Sequence, residues 1–109
     1  MYLRGQLIEE GLRTLAVESL DDAREWLDDP KVKTVLIIYD TLSQDSLEND
    51  FKLLSKLTSE IPVLVLTSSF QKGIVEPKLK DFKYVMKRPF SIGEVVSRVK
   101  GILNYLVTN

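Results

Sequence analysis

The stretch Thr34–Asp40, TVLIIYD, constrains this chain more than any other. Val35 to Tyr39 run without a polar interruption and are mostly β-branched or aromatic. A run of this kind reads as a strand buried on both faces of a parallel sheet, because helices cover both sides of it. An acid, Asp40, ends the run. In open α/β sheets ligands and chemistry sit just beyond the carboxyl ends of the strands, so a carboxylate there stands in a functional position. An aspartate that only starts a turn would look the same.

Composition removes several chemistries. The chain has 109 residues, which is one domain with one core. It contains no cysteine and no histidine. Disulfides, thiol nucleophiles and thiolate zinc sites are therefore excluded, and so are the histidine-based triads and dyads. The net charge of −1 gives no general reason to expect nucleic acid or a membrane surface as partner. No run approaches a membrane span and no leader-like segment opens the chain, so a cytoplasmic soluble domain is expected.

Around the central run the elements alternate. Met1–Leu12 reads as a helix with Leu3, Leu7 and Ile8 at helical spacing and Gly11 as its C-cap; a hairpin turning at Glu9–Gly11 competes with that reading. Arg13–Glu18 is expected as a short strand. Ser19 and Asp22 form a capping pattern for a helix that buries Leu20, Ala23, Trp26 and Leu27 and stops at Asp28–Pro30. After Asp40 comes a polar loop, Thr41–Asp45. Asp45 and Glu48 then signal a helix carrying Leu47, Phe51, Leu54 and Leu57 on one face.

Ile61–Thr67, IPVLVLT, is a second uninterrupted apolar strand ending on a hydroxyl. Phe70–Asp81, with Gly73 and Pro77, is expected as loop or broken helix. Phe82–Lys87 gives the last strand, followed by Arg88-Pro89-Phe90. Ser91 and Glu94 cap a final helix that buries Val95, Val96, Val99, Ile102, Leu103 and Leu106. This alternation specifies an α/β fold, a doubly wound parallel sheet with helices on both faces. Its strand ends bring Asp40, Thr67 and the pair Lys87-Arg88 to one edge.

In the order and spacing of those motifs the chain resembles the response-regulator receiver family, the CheY-like domains of two-component signalling. The motifs are Asp40 after its apolar strand, Thr67 closing IPVLVLT, and KRPF at Lys87–Phe90 before a capped last helix. The segment LIEEGLRTLAVESLDDAREWL is similar to the family's first-helix, second-strand and second-helix run. The resemblance implies a flavodoxin/CheY-like three-layer sandwich. It also implies that Asp40 is a phosphoacceptor for a histidine kinase. Thr67 and a cation at Arg88 or Lys87 would contact the phosphoryl group, and a magnesium ion would neutralise the remaining charge. It further implies a cis peptide before Pro89.

Two departures change the expected function. The family's first strand, with its terminal acidic pair, has no counterpart, since the chain begins where the first helix is under way. One carboxylate is a poor magnesium site, so no metal and no other cofactor is expected unless the acidic pair is supplied elsewhere. Arginine also stands where the family has lysine, and a planar fork facing Asp40 can serve as a structural ion pair. The missing strand lies mid-sheet in the family, so the sheet either closes up or leaves an edge open to pairing with another chain.

The expected function is thus a receiver-like signalling domain that works through protein contacts. Its expected partners are a histidine kinase or an output domain, with a homodimer as one arrangement. An active phosphoacceptor at Asp40 is the alternative. No nucleophile–base pair is visible, so no catalytic residue and no enzyme activity is expected. The late basic residues, Lys72 to Arg88, read as a solvated face and not as a nucleic-acid surface.

Overall fold

The computed structural model describes residues 2–42, 46–68 and 76–108, with side chains throughout except at positions 2, 76 and 105–108. The elements in order are helix α1 (Tyr2–Glu9), helix α2 (Leu20–Leu27), strand β1 (Ile37–Asp40), helix α3 (Leu47–Leu57), strand β2 (Val63–Thr67), a 3-10 turn (Glu76–Asp81), strand β3 (Tyr84–Lys87) and helix α4 (Ile92–Thr108). The three strands form one parallel sheet in the order β1-β2-β3. Helices cover both of its faces, the layering that the alternating pattern specifies.

The apolar runs explain the packing. β2 is the centre of the sheet, and Val63, Leu64, Val65 and Leu66 are each exposed by 1% or less. On one face Val63 and Val65 pack with Leu20, Tyr39, Phe51, Leu54 and Phe82. On the other, Leu64 and Leu66 pack with Leu3, Leu7, Val95, Val99 and Ile102. Alternate residues of a strand point to opposite faces, so a wholly apolar strand feeds both cores at once. Each fully buried leucine or valine contributes about 1.5–3 kcal/mol, so four in succession make β2 a main source of stability.

The helices begin and end where the chemistry of their termini directs. α1 is a helix and not a hairpin arm. It ends at Gly11, whose φ of +87° only glycine adopts without strain. The Leu12 N–H donates to the Leu7 carbonyl at 3.0 Å and the Gly11 N–H to the Ile8 carbonyl at 2.9 Å, a Schellman closure. The Ser19 hydroxyl accepts the Asp22 N–H at 3.1 Å. Ser91 and Glu94 complete a reciprocal box at the head of α4: the Ser91 hydroxyl accepts the Glu94 N–H and Glu94 Oε1 accepts the Ser91 N–H. Asp45 lies outside the described residues, and Ser46 takes the N-cap position of α3 without a side-chain bond.

Four expectations need correction. Arg13–Glu18 is not a strand: among the described residues no ladder joins it to the sheet. A strand is defined by its pairing, and the Thr14 carbonyl accepts from Arg4 Nε instead of from a neighbouring strand. Trp26 is 39% exposed and not in the core. The short helix α2 buries a stripe through Leu20, Ala23 and Leu27, and Trp26 falls off that stripe. β1 begins at Ile37 and not Thr34, and Val35 is 50% exposed. Finally, Thr41, expected as part of a polar loop, is fully buried. Residues 70–75 and the side chain of Leu106 lie outside the described residues.

Candidate functional site

Parallel pairing carries the strand ends to one edge. In register Asp40 stands beside Leu66, and Thr67 beside Lys87. Asp40, Thr67 and Lys87 are the last residues of β1, β2 and β3. The chain then turns at Arg88, whose peptide bond to Pro89 is cis. The Arg88 N–H donates to the Thr67 carbonyl at 2.8 Å, which extends the ladder by one residue and fixes where the arginine side chain begins.

Arg88 is the cation that reaches inward. Its Nη2 donates to Asp40 Oδ2 at 2.5 Å, and the two side chains are 25% and 31% exposed. The guanidinium also lies over the Phe90 ring, 4.8 Å from its centroid. Stacking on an aromatic face holds the planar fork in the orientation it presents to Asp40. Lys87, the other cation of the motif, has an exposed side chain. The second Asp40 oxygen, Oδ1, accepts the Leu42 N–H at 3.0 Å. Both carboxylate oxygens are thus engaged within the chain.

Two further features of this edge have weaker signals in the sequence. The buried hydroxyls of Thr41 and Thr67 meet at 3.4 Å. Ser68 is also buried. A hydroxyl immediately after each strand-ending polar residue was the available sign. Beside Asp40, the buried Tyr39 hydroxyl donates to Asp50 Oδ2 of α3 at 2.6 Å. Burial raises the Tyr39 phenol well above its ordinary value, and the bond to Asp50 and the charges of Asp50 and Asp40 add to the shift. Nothing in the run LIIYD marks that pairing, because it depends on how α3 lies over β1.

The donor set does not suit magnesium. Among the described residues no group of three or more carboxylate, histidine or cysteine side chains gathers anywhere. Octahedral magnesium wants several oxygens, and among the described residues the edge offers one carboxylate, already held by a guanidinium. Arg88 Nη1 is buried without a hydrogen-bond partner among the described residues. An orphaned charged donor costs free energy and marks a place where one more acceptor would fit.

No family model and no curated protein matches the sequence. Solved structures do match. The receiver domain of NtrX from Brucella abortus superposes with a TM-score of 0.73 at 19% identity, over 94% of this chain and 87% of that one. A response regulator from Thermotoga maritima gives 0.70 at 20% identity, over 94% of this chain and 85% of that one. The chain has the receiver fold. Within that fold the edge just described lies where the carboxyl ends of parallel strands place ligands and chemistry. The receiver neighbours also carry residues with no counterpart in this chain.

Proposed function

We propose that residues 1–109 form one receiver-like signalling domain that works through protein–protein contacts, without the usual metal-dependent phosphorylation. Asp40 is the candidate phosphoacceptor position, and Thr67, Arg88 and Lys87 are the candidate phosphoryl-contacting positions. In this reading they form a closed structural edge. The observation that carries it is the double engagement of Asp40, with Oδ2 on Arg88 and Oδ1 on the Leu42 N–H. A nucleophilic carboxylate needs a free oxygen and a positioned cation, and phosphoryl transfer is chiefly positioning plus charge stabilisation. Here the cation is present, but it and the Leu42 N–H already occupy the two oxygens. No magnesium or other cofactor takes part, and the domain is not an enzyme. Its partners are other proteins of a two-component pathway, a histidine kinase or an output domain, in the cytoplasm. No helix of the described residues is long and apolar enough to cross a membrane.

One observation favours the alternative, an Asp40 that accepts a phosphoryl group from a histidine kinase. A phosphoryl oxygen would satisfy the buried Arg88 Nη1. Incubation with acetyl phosphate and magnesium followed by intact mass separates the two. The proposal expects an unchanged mass. Gain of one phosphoryl group, abolished by Asp40→Asn, establishes the alternative.

A further inference from the structure

The ion pair at the sheet edge and helix α3 tie the same two strands together. Asp40 ends β1 and Arg88 follows β3, so their pair spans the end of β2. Below it, Tyr39 is the neighbour of Asp40 in β1, and Phe82 leads into β3. Phe51 of α3 lies between those two rings. It meets Tyr39 edge to face with centroids 5.7 Å apart, and Phe82 in the same manner at 5.5 Å. The residue before it, Asp50, accepts the Tyr39 hydroxyl at 2.6 Å. A closed circuit results: Arg88 to Asp40, Asp40 to Tyr39, Tyr39 to Asp50 and Phe51, Phe51 to Phe82, and Phe82 along β3 to Arg88.

Each link in this circuit is stiff. Tyr39, Phe51 and Phe82 are all buried in one core, where close packing leaves rings no slack to absorb a shift. The Tyr39 phenol is held protonated by burial first, and then by the Asp50 bond and the charges of Asp50 and Asp40, so it remains a donor. Asp50 lies in the first turn of α3, where the helix dipole favours its negative charge. Parting the two would strand a buried hydroxyl, so Tyr39 and this turn move together. The opposite face of α3 meets solvent at Glu48, Asn49, Lys52 and Lys56. A change in how the helix is seated therefore changes the protein's surface.

We propose that α3 is the element the Asp40–Arg88 pair governs, with Asp50 and Phe51 coupling the seating of the helix to whether that pair is closed. The proposal rests on the closed edge of the contact-based reading above, and supplies the way in which the state of the edge reaches a surface that another protein can meet. It is independent of whether Asp40 can accept a phosphoryl group. Coupling between two sites is reciprocal, so cutting the Tyr39–Asp50 bond loosens the edge by the factor with which opening the edge loosens α3.

Native-state amide hydrogen exchange on the 109-residue chain reads both directions. In Arg88→Met, the amides of residues 50–54 should exchange about tenfold faster relative to those of residues 63–66 at the centre of the sheet. Lys100→Met removes the same charge from the pair with Glu10, outside the circuit, and should leave that ratio unchanged. Tyr39→Phe keeps the ring and every charge. It should speed exchange of the Leu42 and Arg88 amides, which bond to Asp40 Oδ1 and the Thr67 carbonyl, by a similar factor relative to residues 63–66. Equal acceleration of residues 50–54 and 63–66 in Arg88→Met would overturn the proposal, since the pair would then serve only global stability. An equal α3 response in Lys100→Met, or Leu42 and Arg88 amides unmoved in Tyr39→Phe, would also overturn it. If Arg88→Met does not fold, the Tyr39→Phe result decides alone. Transfer from acetyl phosphate to Asp40, read by mass, would overturn the contact-based reading and leave these ratios, measured without a phosphodonor, as they are.

Discussion

The pair between Asp40 and Arg88 should be worth about 2 kcal/mol, and a double-mutant cycle can read it directly. Exposed ion pairs contribute about 0.2–1 kcal/mol, whereas removing one partner of a buried pair costs about 3–5 kcal/mol. Here the side chains are 25% and 31% exposed, between those limits. At an effective dielectric near 20 the attraction of two charges about 4 Å apart is about 4 kcal/mol, and partial desolvation of both groups offsets about half of it. The cycle compares Asp40→Ala, Arg88→Ala and the double variant. Arg88→Ala also loses the stack on Phe90, but that loss occurs with and without Asp40 and cancels in the coupling term. Urea melts are the assay. With a slope of about 1–3 kcal/mol per molar, each single variant should lower the midpoint by about 1 M. The double variant should be little worse than either single one. A coupling below about 0.5 kcal/mol would refute the reasoning, since it would place the pair with ordinary surface contacts.

Other predictions follow from the same packing. Leu54→Ala removes a side chain that is 0% exposed at the α3–sheet interface and should cost about 2–5 kcal/mol in urea melts. Gly11→Ala puts a Cβ at φ +87° and should cost about 1 kcal/mol, although nothing lies within 4 Å of that Cβ; the strain is in the backbone. Tyr39 gives a pH signature. Its folded phenol titrates above the ordinary value near 10, so the neutral form is favoured in the folded state. The associated stability is fully present below pH of about 10 and falls as pH rises, because the unfolded chain loses that proton first. Tyr39→Phe should cost about 1 kcal/mol at neutral pH and flatten the alkaline decline, measured by chemical melts across pH.

How much was legible in the sequence depends on whether a feature is local. The apolar runs ending in Asp40 and Thr67 announce strands, because only a strand covered on both faces tolerates such composition. The Ser91–Glu94 box and Gly11 announce helix ends, because their chemistry is complete within a few residues. Arg13–Glu18 has strand composition but joins no ladder among the described residues, and strand pairing cannot be read from composition. Trp26 is apolar yet lies off the buried stripe of a helix too short to wrap it inward. At the edge, the meeting of Asp40 with Arg88 follows from parallel register. The bonds between Tyr39 and Asp50 and between Thr41 and Thr67 do not, because each depends on the exact seating of neighbouring elements.

A magnesium titration of the 109-residue chain, followed by amide NMR, most directly tests the claim that Arg88 and not a metal holds Asp40. The amides to watch are Asp40 to Leu42, Thr67, and Lys87 to Arg88. If Arg88 occupies the carboxylate, these signals stay in place, or drift linearly with ionic strength, to magnesium concentrations well above millimolar. Saturable shifts confined to them, and lost in Asp40→Asn, would contradict the account.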